Sequence, residues 1–149
     1  MKLAAISVDL DEIPCYAGIH AIDVPAGSEH AIYDRALPRL AALFAREGVP
    51  ATFFAIGRDL DREENRARVR ALAESGHEIA NHSWRHFYDL TKRTRGEILE
   101  EIAKGGEAIV RATGVAPVGF RAPGYTITDD VFEVLEELDY AYDSSVFAL

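Results

Sequence analysis

The sequence predicts an α/β protein built on a parallel sheet or an incomplete (β/α) barrel of about five strands. Two observations point there. Short apolar runs alternate along the whole chain with stretches whose apolar residues recur at helical spacing. The helical stretches stop at glycines, and a new apolar run follows each, so the order is strand, helix, strand throughout. No repeat, low-complexity tract or linker interrupts the 149 residues, so one domain is expected.

The first apolar run, residues 3–9, has β-branched members and predicts a buried strand. Residues 10–28 hold Pro14, Gly18, Pro25 and Gly27 and read as a long loop, a kind of segment that more often works than idles. A helix follows with Leu37, Leu40, Leu43 and Phe44 on one face, Gly48 past its end and Pro38 near its start. Residues 51–56 predict a second strand, closed by Gly57. Residues 62–75 predict a charged helix with Val69, Leu72 and Ala73 turned inward and Gly76 at its end. Residues 77–80 predict the third strand. Thr94 and Glu97 have capping-box spacing and open a helix carrying Ile98, Ile102, Ile109 and Val110, which ends at Gly114. Residues 117–120 predict the fourth strand, Thr128 caps a helix with Val131, Leu135 and Leu138, and residues 140–143 predict the fifth.

An apolar fraction of 48% supports a real core, 28% charged residues fit a soluble globular protein and not a disordered one, and no run of 18 apolar residues exists to span a membrane. The net charge of −9 repels phosphate backbones and anionic lipid heads, so neither nucleic acid nor a membrane surface is expected as a partner. The single cysteine, Cys15, rules out an intramolecular disulfide. The N-terminal apolar stretch is too short for a secretory leader, which makes the cytoplasm the expected location.

In parallel α/β folds ligands gather at the C-terminal ends of the strands. Asp9 and Asp11 end the first strand, His82 and His86 follow the third, and Arg121 to Tyr125 follow the fourth. His82 and His86 are four apart; on one helical turn they would share a face and could share a divalent ion. Two surface histidines would show the same spacing. Asp9 and Asp11 would face the same way on a continuing strand, one free to bind metal and one to act as general base; a solvated acidic turn is the plainer alternative. Arg121 could orient the carboxylate that does not bind metal or form an ordinary ion pair, and the Tyr125 backbone N–H could face a developing oxyanion. Trp84 and Tyr125 could stack on a sugar ring or belong to the core. Asp143 could support Arg121 or cap a turn. Cys15, His20 and His30 read as incidental.

These segments resemble the polysaccharide deacetylases, the NodB-homology or carbohydrate esterase family four group. The resemblance rests on SVDLDE, ATFFAIG, GHEIANHSWRH, GFRAPGY and YDSSVF, which stand in family order and cover nearly the whole chain. It implies a distorted (β/α) barrel and hydrolysis of carbon–nitrogen bonds other than peptide bonds, with deacetylation of an N-acetylated sugar as the leading reaction. It implies Asp9 as general base, Asp11, His82 and His86 as ligands of a divalent ion, zinc, Arg121 as the residue orienting Asp9, and the Tyr125 N–H as oxyanion donor. Ser83 would brace the histidine loop.

The sequence departs from the family pattern in two places. Leu10 separates two aspartates that are usually adjacent, a form resembling exopolysaccharide-linked deacetylases and allantoinase-like amidohydrolases. A small cyclic amide is therefore a second candidate substrate. The Leu-x-His element that carries the family's general acid has no counterpart in the sequence. A catalytic domain truncated at its C-terminus is expected, with a non-catalytic metal- or sugar-binding domain as the third reading. Such a chain should leave its fifth strand open, expose Val146, Phe147 and Leu149, and pair there with a second copy or a further segment.

Overall fold

A computed structural model describes residues 4–146. Leu3, Phe147 and Leu149, which entered the expectations above, lie outside the described residues. Five strands, β1 (Ser7–Asp9), β2 (Thr52–Ala55), β3 (Glu78–Asn81), β4 (Gly119–Phe120) and β5 (Tyr142–Asp143), form one sheet in chain order, and every neighbouring pair is parallel. Four of the strands are shorter than the apolar runs that predict them, and β3 is as long as its run but shifted by one residue.

Helices α2 (Leu37–Glu47), α3 (Glu63–Glu74), α4 (Arg95–Thr113) and α5 (Asp129–Glu137) supply the crossovers. Thr94 opens α4 with a complete capping box, in which its hydroxyl accepts from the Glu97 N–H and Glu97 reaches back to the Thr94 N–H. Gly48 and Gly114 end α2 and α4 in the left-handed conformation that a residue without Cβ adopts freely. Pro38 lies in the first turn of α2, where its missing N–H costs nothing. Two expected details differ. Leu43 and Val110 are exposed, being turned past the edge of their apolar stripes, and Thr128 precedes α5 without a side-chain capping bond.

The larger correction concerns residues 10–28, which are not all loop. Ile13–His20 form a helix, α1, entered through Pro14 and ended by Ala21 in the left-handed region. It is apolar around most of its circumference, so it has no periodic stripe to betray it, and Tyr16, Ile19 and Ile22 stay exposed.

Two apolar clusters sit between sheet and helices. One gathers Phe53, Val69, Leu72 and Ile109 with Trp84 packed against it; the other joins Ile98, Ile102 and Phe120 to Val131, Val134 and Leu135. Each such buried side chain contributes about 1.5–3 kcal/mol. The sheet curls into a half-barrel. In a flat sheet β1 and β4 would lie about 14 Å apart, three strand spacings. Arg121, just past β4, nonetheless reaches Ser7 on β1 at 2.9 Å and Ser144, just past β5, at 2.7 Å. Among the described residues no helix is long and apolar enough to cross a membrane.

Candidate metal centre and active site

Asp11, His82 and His86 converge at the C-terminal rim of the curl, all three buried. The Nε2 atoms of the histidines are 3.2 Å apart, Asp11 Oδ1 lies 3.4 Å from His82 Nε2, and Asp11 Oδ2 lies 3.3 Å from His86 Nε2. Tetrahedral ligands on a divalent ion with bonds of about 2.0–2.1 Å stand about 3.3–3.4 Å from one another. The two Asp11 distances run to different oxygens; with one donor atom from each residue, all three lie within 4.8 Å of one another, close enough to hold an ion between them. Asp11 Oδ1 has no hydrogen-bond partner among the described residues, as expected of an atom reserved for a cation. Burial pushes the Asp11 carboxyl upward, but the two imidazoles outweigh it and hold it well below the usual carboxylate range.

Each ligand has a local cause. The Arg121 carbonyl accepts from His82 Nδ1 at 2.6 Å, which leaves His82 Nε2 as a lone pair facing the site. The expected helical turn between the histidines is absent. Residues 82–86 form an irregular turn with Ser83 and His86 at φ 64 and φ 58, two left-handed positions that cost about 1–2 kcal/mol each outside glycine. The Ser83 hydroxyl accepts the His86 N–H at 3.1 Å, so Ser83 braces this turn. Opposite the turn, α4 presents Gly105, where a Cβ would overlap Asn81 Oδ1 and come within 2.9 Å of the Ser83 carbonyl carbon.

Asp9 stands beside these three, outside the cluster of candidate ligands. Its Oδ1 accepts from Arg121 Nη1 at 2.6 Å, and its Oδ2 accepts from the Tyr125 hydroxyl at 3.2 Å. Arg121 also lies over the Phe54 ring at 4.0 Å, so its guanidinium is held from every side. The pairing expected of Asp9 and Arg121 is present.

The sequence profile of the polysaccharide deacetylase family matches residues 26–142. The chain belongs to that family. A peptidoglycan deacetylase of Helicobacter pylori is 27% identical over 97% of this chain and 49% of its own length. The peptidoglycan-N-acetylglucosamine deacetylase PgdA of Listeria monocytogenes is 32% identical over 64% of the chain and 20% of its own. A Mycobacterium smegmatis crystal structure that carries the polysaccharide deacetylase name superposes with a TM-score of 0.79 at 27% identity, covering 95% of this chain and 50% of that one. A pseudoenzyme of the same family from Bacillus anthracis shares the fold at 22% identity, with a TM-score of 0.70 over 93% of this chain and 41% of its own. The chain thus spans half or less of the length of each of these four.

Other expected residues fall out differently. The Tyr125 N–H, expected at the oxyanion, donates to the Ala122 carbonyl at 2.9 Å, because residues 123–125 close a tight turn. Tyr125 meets the site through its hydroxyl instead. Trp84 belongs to the core. Asp143 accepts from the Ser145 hydroxyl and N–H, and Ser145 in turn accepts the Ala122 N–H at 2.8 Å, so Asp143 caps the turn that braces Ala122, while Ser144 holds Arg121. Cys15 lines a cleft of about 670 Å³ beside His86, Asp59 and Tyr88, but burial, then the Asp59, Asp11 and Glu12 carboxylates, push its thiol up to about 12, which leaves it unreactive. His30 faces Glu12 across 3.3 Å and so anchors the segment before α2.

Sequence reasoning missed Glu12, Tyr88 and Glu101. Tyr88 packs edge-on against His86 with ring centroids 4.7 Å apart. Glu101 is fully buried and binds Arg85. Its signal was available: it shares the inward face of a helix with Ile98, Ile102 and Gly105, where a carboxylate is out of place.

Proposed function

We propose that this chain carries the metal-binding and proton-transfer groups of a hydrolase that deacetylates an N-acetylated sugar in a polysaccharide. The observation that carries this reading is the convergence of Asp11, His82 and His86 beside the Asp9–Arg121 pair. Family membership supports it, and the names of the Helicobacter and Listeria relatives favour an acetylated sugar over a small cyclic amide.

Asp11, His82 and His86 would hold the ion, and a donor set of two imidazoles and one carboxylate suits zinc. When bound, such an ion supplies Lewis-acid polarisation of the amide carbonyl and acidifies water. The remaining work falls to the chain's own side chains. Asp9, oriented by Arg121, takes a proton from the attacking water as its oxygen adds to the acetyl carbon. The carbon–nitrogen bond then breaks, and Asp9 is placed to return that proton to the departing amine.

The test uses zinc content and acetate release from an N-acetylated oligosaccharide. His82→Ala loses the zinc. Asp9→Asn keeps zinc and loses about 10²–10⁴-fold in turnover. Equal zinc in wild type and His82→Ala removes the metal assignment; undiminished turnover in Asp9→Asn removes the base.

A further inference from the structure

We propose that Glu101 on α4 is a positioning residue for the metal centre, clamping the turn that carries His86. The proposal rests on the metal reading above and concerns how one of its ligands is held. The two histidines are fixed by different means. His82 is oriented through its ring, by the 2.6 Å bond from Nδ1 to the Arg121 carbonyl. His86 Nδ1 is buried and has no hydrogen-bond partner among the described residues. No hydrogen bond at Nδ1 orients its ring, so apart from packing against Tyr88 its direction depends on its backbone, which is in the left-handed region, as is Ser83 three residues earlier.

An unfavourable turn persists only when its surroundings over-determine it. Two anchors do so. Ser83 Oγ accepts the His86 N–H at 3.1 Å. Glu101 Oε2 accepts the Arg85 N–H at 2.9 Å, and its Oε1 accepts from Arg85 Nε at 2.6 Å. Arg85 is the residue directly before His86, so one carboxylate oxygen holds its backbone N–H and the other holds its guanidinium, which fixes the stretch of turn leading into His86. The Glu101 side chain is 1% exposed, while that of Arg85 is 41% exposed. A pair this lopsided is a poor source of stability, since apolar residues of similar volume commonly replace buried ion pairs without loss. Its use lies in the turn. Gly105, one helical turn further along α4, leaves room for the helix backbone to stand close enough for Glu101 to reach. Groups that orient metal ligands without touching the ion typically govern affinity by about 10–100-fold.

The experiment titrates the full metal-free chain with zinc alone, and in parallel records its thermal unfolding without metal. Glu101→Gln keeps the shape of the side chain and removes its charge. It is expected to weaken zinc binding about 10–100-fold and to alter the visible band of the cobalt-loaded protein, which reports ligand geometry. Glu100→Gln, next door on the exposed face and paired with Lys104, leaves both unchanged. Should Glu101→Gln fail to fold, Arg85→Met combined with Glu101→Met decides, because it removes the clamp and fills its volume. That double variant should unfold at or above the wild-type temperature yet bind zinc at least about tenfold more weakly. Wild-type zinc affinity in either folded variant overturns the clamp alone. A wild-type chain that takes up no zinc overturns the metal reading and the clamp with it.

Discussion

At Asp59 burial, and then repulsion from Glu12 and Asp11, raises the carboxyl to about 7 against partial relief from Arg58. One of its oxygens is buried with no hydrogen-bond partner among the described residues. The folded chain therefore holds this proton more tightly than the unfolded chain, whose carboxyl titrates near 3.8. The sign follows: the contribution to stability is whole below about 3.8 and is lost as the pH rises through about 7. Asp59→Asn in the metal-free chain is expected to gain on the order of 2–4 kcal/mol over wild type at pH 8 and almost nothing at pH 4. Denaturant unfolding at the two pH values checks it, and an equal gain at both would assign the effect to packing.

Helix α4 joins sheet to site, and its two ends of function separate cleanly. Its first turn is held by the capping box and its middle by Ile98, Ile102 and Ile109, but Gly105 faces the histidine turn with no room to spare. Gly105→Ala is expected to destabilise by about 2–3 kcal/mol or more through overpacking and to disturb zinc binding with it. Gly96→Ala, in the open first turn with nothing within 4 Å of the added carbon, should stabilise by about 0.5–1 kcal/mol. Chemical unfolding of both variants compares the same substitution nine residues apart on one helix. A neutral Gly105→Ala would mean that α4 can retreat from the turn.

The whole sheet presents β1 and β5 as its outer strands, and Tyr142 on β5, Phe132 on α5 and Val146 are exposed beside the second of them. Unpaired strand groups flanked by apolar side chains recruit partners. The 149-residue chain alone is expected to associate through this edge, against the self-repulsion of a net charge of −9, so association should strengthen as salt screens that charge. Sedimentation velocity across concentration and salt reads it directly. A compact monomer under all conditions would show that the edge is adequately protected by its own twist and shortness.

The strand–helix alternation, the capping box at Thr94 and the motif positions of Asp9, Asp11, His82, His86 and Arg121 could all be read from the sequence. Each depends on neighbours close along the chain: apolar period, cap spacing, a polar cluster after an apolar run. Helix α1 could not, because an apolar helix broken into by Pro14 and Gly18 has no periodic stripe. The pairing of Asp9 with Arg121, 112 residues apart, was expected only through the family resemblance, and it forms because the sheet curls enough for one guanidinium to reach from β1 to the end of β5. Tertiary structure also decided that the histidines meet through a left-handed turn and not a helix, that the Tyr125 N–H closes its own turn, and that Glu101 faces Arg85. Local chemistry names the groups a site can use; the curl of the sheet and the close approach of α4 set which of them touch.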